Sequence, residues 1–326
     1  MIFLLQKTLI YTIPLLIVAL AGMYAERSGI INIALDGIMI FGAFVGALSA
    51  FFLRKIPFFV DNNQLTFIVA MIIAAVFGAL FSLLLSFSAI KLKADQTIGG
   101  TALNMLAPAI ALFIIKIFFS KDQLEMGRAA GSDGVMQDFG YVIKNDDISD
   151  FGKIFFDKAY ISTFIALGLF VLLSIFIYKT KTGLRLRSCG EHPQAAASVG
   201  IDVNKMRYLG TTISGALAGL GGYIYIATVA NGTASGAVAG MGFLALAIMI
   251  FGNWKPLGII LGALLFGFLK CLGVIYSQFE FLKDLNLPMY FYNLIPYFAV
   301  LIVLMFTSKR SRAPKAEGIP YDKGMR

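Results

Sequence analysis

Charge and histidine are scarce in this chain of 326 residues: Asp, Glu, Lys and Arg together make up 14%, and His192 is the one histidine. A lone imidazole, with no His, Cys and Glu grouped at metal-ligand spacing, excludes a histidine-built metal centre and leaves acid–base catalysis without its usual carrier. The two cysteines, Cys189 and Cys271, fall in a polar loop and in a late apolar run, which argues against a disulfide. A G-x-x-x-x-G-K-[ST] loop is missing too: before Gly152-Lys153 the first glycine position holds Asp147, and Ile154 stands where the hydroxyl belongs. Any ATP-driven step therefore belongs to another chain, and nothing here reads as an enzyme.

Apolar surface is what the chain has in excess. Hydrophobic residues make up 59% and the mean hydropathy is +0.83. Runs of roughly 20 apolar residues, enough to cross about 30 Å of hydrocarbon, recur from end to end and leave no room for a sizeable soluble domain. Apolar stretches bounded by charge predict spans near Leu9–Tyr24, Ile30–Phe52, Leu65–Ile90, Ala102–Phe119, Ala159–Tyr178, Leu209–Ala230, Gly240–Phe251, Leu257–Tyr276 and Tyr290–Phe306. The expected fold class is thus an all-α polytopic membrane protein of about nine transmembrane helices, within a range of roughly eight to ten. Gly240–Phe251 is too short to cross comfortably, and only a few residues around Glu26 and Arg27 separate the first two spans. Both places are candidates for short, re-entrant or broken helices. The leading apolar segment is read as a retained helix, because Lys7 is its only leading charge and further spans follow.

The net charge of +9 could suggest nucleic acid, but the basic residues sit in loops beside apolar spans, where the positive-inside rule accounts for them. If the spans alternate, Lys91, Lys93, Lys179, Lys181, Arg185, Arg187, Lys205, Arg207, Lys309, Arg310, Arg312 and Lys315 share one side, the cytoplasm. The division that follows is a transmembrane domain over residues 1–306, with an extracellular loop at 120–158 and a cytoplasmic loop at 179–208, then a basic cytoplasmic tail at 307–326.

The loop at 179–208 holds a sharply bounded polar segment. Pro193 suits a first helical position and Gly200 the residue past a helix end, so Pro193 to Val199 is predicted as about two helical turns. A helix this short is held by packing, on its own bundle or in a groove of another protein. It is a candidate docking element.

Within the spans, polar residues are rare enough to single out. Asp36 and Asn32 in the second span and Asn104 in the fourth either brace other helices or line a pathway. Lys270 is expected to snorkel to the outer interface, and Trp254, in the polar break Asn253-Trp254-Lys255-Pro256, to anchor at the inner one. Gly42 with Gly46, Gly215 with Gly219, and Gly258 with Gly262 predict close helix packing.

The run Gly183-Leu184-Arg185-Leu186-Arg187-Ser188-Cys189-Gly190-Glu191-His192-Pro193-Gln194-Ala195-Ala196, followed by Gly200-Ile201, resembles the coupling loop of ABC importer permeases of the branched-chain amino acid and simple-sugar superfamily. Glu26 to Gly37, Ala94 to Asn104, and Gly242 to Ala247 with Phe251 to Gly258 are similar to the nucleoside-type branch, as is the tail from Ala313 to Tyr321. Two departures stand out: the usual glutamate before the glycine of the second-span motif is Asp36, and the usual asparagine before the loop proline is His192.

The resemblance implies a permease subunit of the bacterial cytoplasmic membrane, forming half of a nucleoside pathway, with pentoses or other simple sugars as rival solutes. It implies coupling to an ATPase through Gly190, Glu191, His192, Pro193, Ala195, Ala196 and Gly200; Asn32, Asp36 and Asn104 are the candidate pathway residues by their polarity within the spans. The partners it implies are the lipid bilayer, a second permease in a heterodimer, ATP-binding subunits and an extracellular solute-binding protein or lipoprotein. No cofactor is expected in this chain; ATP and Mg would be bound by the partner ATPase. An ATP-independent facilitator is the rival class, and it would have no need of a Pro-to-Gly bounded helix in the loop.

Overall fold

The computed structural model describes residues 2–126, 160–276, 288–307, 312–322 and 324. The expected outer loop at 120–158 therefore lies outside the described residues except for 120–126. The helices, in order, are α1 (Ile2–Arg27), α2 (Leu35–Leu53), α3 (Pro57–Asp61), α4 (Asn63–Ile90), α5 (Gln96–Phe119), α6 (Ile161–Lys179), α7 (Lys181–Glu191), α8 (Pro193–Ser198), α9 (Val203–Thr228), α10 (Met241–Phe251), α11 (Pro256–Ile275) and α12 (Met289–Thr307). Two short strands, β1 (Leu124–Glu125) and β2 (Thr233–Ala234), pair antiparallel and tie the segment after α5 to the one after α9. Among the described residues, α1, α2, α4, α5, α6, α9 and α11 are long and apolar enough to cross a membrane, and α10 and α12 each add a shorter apolar run. The all-α expectation of about nine apolar helices is met.

Burial sorts these helices into a centre and a rim. The apolar windows of α1, α2 and α9 are 83%, 72% and 78% buried, against 22% for both α5 and α6. α9 packs against α4, α1 and α2, along a seam of small residues. A Cβ on Gly42 would strike the α9 backbone at Gly219, one on Gly78 would strike it at Gly215, and one on Gly222 would strike the Met39 carbonyl of α2. In lipid, where water exclusion does not drive helices together, such backbone contact supplies dispersion that bulkier residues would forfeit.

The two places expected to hold short or broken helices take different forms: irregular backbone between α1 and α2, and a short helix, α10, with nearly its expected bounds. The second helix begins at Leu35 rather than Ile30, leaving residues 28–34 as turns and extended chain. α10 spans Met241–Phe251, 11 residues, so it rises only about 16 Å and crosses roughly half of the hydrocarbon. Non-helical backbone at this depth persists only where protein covers it, and side chains from neighbouring helices provide the partners.

Candidate functional site

The loop after α6 forms two helices. α7, absent from the sequence reading, starts at the Thr180 cap, whose Oγ1 accepts from the Gly183 N–H at 3.0 Å. It buries Leu186, Cys189 and Gly190. Its charged outer positions hid this inward face from a search for apolar runs. α8 matches the Pro-to-Gly reading: His192 Nδ1 accepts from the Ala195 N–H at 3.3 Å, Pro193 opens the helix, and Gly200 lies past its end at φ +83°. Ala196 seats α8 against Cys189 and Val203, while Glu191, His192, Gln194, Ala195, Ser198, Val199 and Gly200 are exposed. Two apolar side chains of the loop are exposed, Leu184 of α7 at 61% and Val199 after α8 at 74%. The expected coupling residues thus divide into an outward set and a buried support of Gly190, Pro193 and Ala196.

Beneath α8 the structure gathers the ends of several membrane helices. Gly190 packs directly on the Arg27 carbonyl, and Glu191 Oε1 lies 3.5 Å from Arg27 Nη1. Arg27 Nη2 donates to the Trp254 carbonyl at 3.0 Å, and Trp254 Nε1 donates to Glu26. Trp254 is therefore no interfacial anchor; it is 4% exposed, because its indole N–H finds a buried carboxyl partner. The tail crosses the same face as a brace. Arg312 N–H donates to Asn253 Oδ1 at 2.7 Å, Ala316 N–H to the Gly190 carbonyl at 2.9 Å and Gly318 N–H to the Gly29 carbonyl at 3.2 Å. Lys93 Nζ pairs with Asp322 at 2.6 Å, and Tyr321 packs on the α8 cluster. The Glu317 carboxyl meets that of Glu26, and burial pushes Glu317 above the usual carboxylate range. Burial likewise pushes the Cys189 thiol up, which leaves it a packing residue.

The three polar candidates in the spans are brought together around the irregular segment. Asn104 of α5 accepts from the Gly37 N–H at 2.7 Å and donates to the Ile33 carbonyl at 2.9 Å. Asn32 Nδ2 donates to Ser214 Oγ at 2.8 Å, and Gln96 accepts from the Ile31 N–H at 2.7 Å. Asp36 Oδ1 accepts from the Gly242 N–H at 2.9 Å, and the Phe243 N–H also points to this carboxylate. Asp36 thus caps α10, where free N–H groups and the positive end of the helix dipole favour an anion. Asp36 and Asn104 serve backbone groups that would otherwise be unpaired, and Asn32 ties the irregular segment to a side chain of α9.

Open space lies beside this cap. A cleft of about 530 Å³ is lined by Tyr11 of α1, Tyr225 of α9, Lys270 and Val274 of α11, and Leu294 and Tyr297 of α12. Val229 and Ala239 border it from the link between α9 and α10, on the side away from α8. Asp36 is within electrostatic range of Tyr225 and Tyr297, and the Tyr297 hydroxyl donates to the Ala239 carbonyl at 3.0 Å. Lys270, expected to snorkel outward, places its ammonium over the Tyr297 ring, 5.4 Å from the centroid, and lines the cleft. Its place in α11, about 7 Å of helix rise short of the end, was the available signal. The tyrosines carried none, since membrane helices are rich in aromatics.

Residues 4–306 match the family model described as branched-chain amino acid transport system / permease component. The chain belongs to this family. It is 40% identical over 322 residues to the guanosine ABC transporter permease protein NupQ of Bacillus subtilis, covering 98% of this chain and 96% of that one. With the nucleoside ABC transporter permease protein NupC of Lactococcus lactis it shares 37% identity over 315 residues, covering 97% and 95%. The nucleoside ABC transporter permease protein NupB of the same organism is 27% identical over 268 residues, covering 79% and 68%. No solved structure matches the chain. These relatives are transport permeases rather than enzymes, and with the apolar helices they make this a multi-pass protein of the plasma membrane.

Proposed function

We propose that this chain is one permease half of an ATP-driven nucleoside importer, with α7 and α8 as its contact to a separate ATP-binding subunit. The observation that carries the coupling role is the α7–α8 surface: a short capped helix, braced from below, with Val199 exposed at its end and Leu184 and Glu191 exposed on α7. A helix of 6 residues has no reason to stand alone in water, and the brace gives a push on it somewhere to go. Support for the solute class comes from the near full-length identity to NupQ and NupC. Similarity to both NupC and NupB, two permeases of one organism, favours a heterodimer.

In this reading α8 faces the cytoplasm, with the basic loops beside it, and the ATPase binds ATP and Mg. Closure of that subunit presses on α8. The load passes through Gly190 to the end of α1 and the tail, then to residues 28–34, and through Asn104 and Asp36 to the N-terminus of α10. Each link is a packed or hydrogen-bonded contact, as mechanical coupling requires. An extracellular solute-binding protein or lipoprotein delivers the solute from the side opposite α8.

The test is a pull-down from native membranes joined to uptake measurement, comparing the natural chain with Glu191→Ala and Pro193→Gly. Recovery of an ATP-binding subunit and a second permease, with uptake lost in both variants at unchanged membrane levels, supports the reading. Recovery of the chain alone, or undiminished uptake by both variants, refutes it.

A further inference from the structure

The polar groups at membrane depth are of two kinds. Asn32, Asp36 and Asn104 each hold a backbone or side-chain partner in the bundle. Among the described residues Lys270 has only the face of the Tyr297 ring, and no carboxylate reaches it. An ammonium carries three N–H donors, and at this depth it is retained where a pathway or a ligand uses it. The aromatic face satisfies the charge in part but accepts none of those hydrogen bonds in the way an oxygen does. The space in front of Lys270 has the volume of a small-molecule site, and Tyr11 and Tyr225 offer further rings around it.

We infer that this cleft receives the base of the transported nucleoside, with the tyrosine rings against the heterocycle and Lys270 donating to an exocyclic carbonyl oxygen. The ligand class is a planar, uncharged heterocycle bearing such an oxygen: rings stack on rings whatever the base, and the ammonium adds the preference for a carbonyl over an amino group. An amino group at that position offers a donor to a donor and leaves the ammonium unpaired. Ala239, at the N-terminal end of the half-helix α10, borders the same space, so the Asp36 cap fixes one wall of the site without touching the solute. Load arriving at Asp36 from the α8 face would therefore reshape the cleft directly. The assignment rests on the nucleoside reading above.

The experiment is uptake by the complete transporter of uridine, inosine and adenosine, with Lys270→Met and Val274→Trp as variants. Lys270→Met should raise KM for uridine and inosine about tenfold or more, the loss expected for a hydrogen bond to a charged donor, and raise that for adenosine much less. Val274→Trp, which fills the cleft from its wall, should stop uptake of all of them while the complex is still recovered intact. Equal shifts for the oxo and amino bases, or continued uptake by Val274→Trp, would overturn the assignment while leaving the nucleoside reading in place. Failure of the natural complex to take up any of these nucleosides would overturn both.

Discussion

Removing the Asp36 side chain should unsettle α10 and little else. Its carboxylate accepts from the Gly242 N–H at 2.9 Å and from the Phe243 N–H, so Asp36→Ala strips the half-helix of its cap in a place water reaches poorly. Loss of a helix cap costs about 0.5–2 kcal/mol, and a buried donor left unpaired about 1–3 kcal/mol. These describe the same N–H groups and overlap, so the expected loss is about 1–3 kcal/mol. Asp36→Asn keeps an oxygen at the same reach and forfeits mainly the charge–dipole term of about 0.3–1 kcal/mol. The assay is thermal unfolding of the purified complex in detergent, where about 1 kcal/mol corresponds to roughly 2–4 °C or somewhat less for a chain of this size. Asp36→Ala should melt several degrees below the natural protein, with Asp36→Asn close to it and retaining uptake. Equal destabilisation by both variants, or none by Asp36→Ala, would refute the capping argument.

Other perturbations have equally direct readouts. His192→Ala removes the α8 cap and should cost about 0.5–1 kcal/mol of local helix stability, read as weaker ATPase recovery in a pull-down; His192→Asn, which restores an acceptor, should return it. Gly222→Ala drives a methyl into the Met39 carbonyl, and because backbone cannot swing away the cost should be about 1–3 kcal/mol or more, seen as loss of folded protein from the membrane. The tail should loosen as pH rises. Burial raises the Glu317 carboxyl above its free value, so docking is fully favoured below the free value and weakens as pH climbs through the docked one. Trypsin cleavage at exposed Arg312 and Lys315 should accelerate as pH rises above the ordinary carboxylate range, and Glu317→Gln should reduce the dependence; the Lys93–Asp322 pair does not contribute there, since Asp322 is held below its usual range by Lys93.

Class, helix number and the bounds of α8 were legible in the amino-acid sequence, because each follows from local chemistry. A run of apolar residues must be a span wherever its neighbours lie, and a proline followed by a glycine opens and closes a helix without outside help. The four-residue glycine spacing marked the α2 and α9 seams for the same reason. α7 was missed because its inward face, Gly183, Leu186 and Cys189 with Gly190, is apolar only in the company of α6 and α1.

Roles that depend on a distant partner could not be read in advance. Trp254 had an ordinary explanation at the membrane surface, and only the approach of Glu26 assigned it differently; the Tyr297 ring and the open cleft beside Lys270 likewise come from packing alone. Asp36 was marked as exceptional by being charged in an apolar run, yet whether it met solute or backbone was decided by Gly242, 206 residues away in sequence. Periodicity and punctuation act between residues a few positions apart, so one chain suffices to read them. A buried polar group is defined by what satisfies it, and across a helical bundle that partner is chosen by packing.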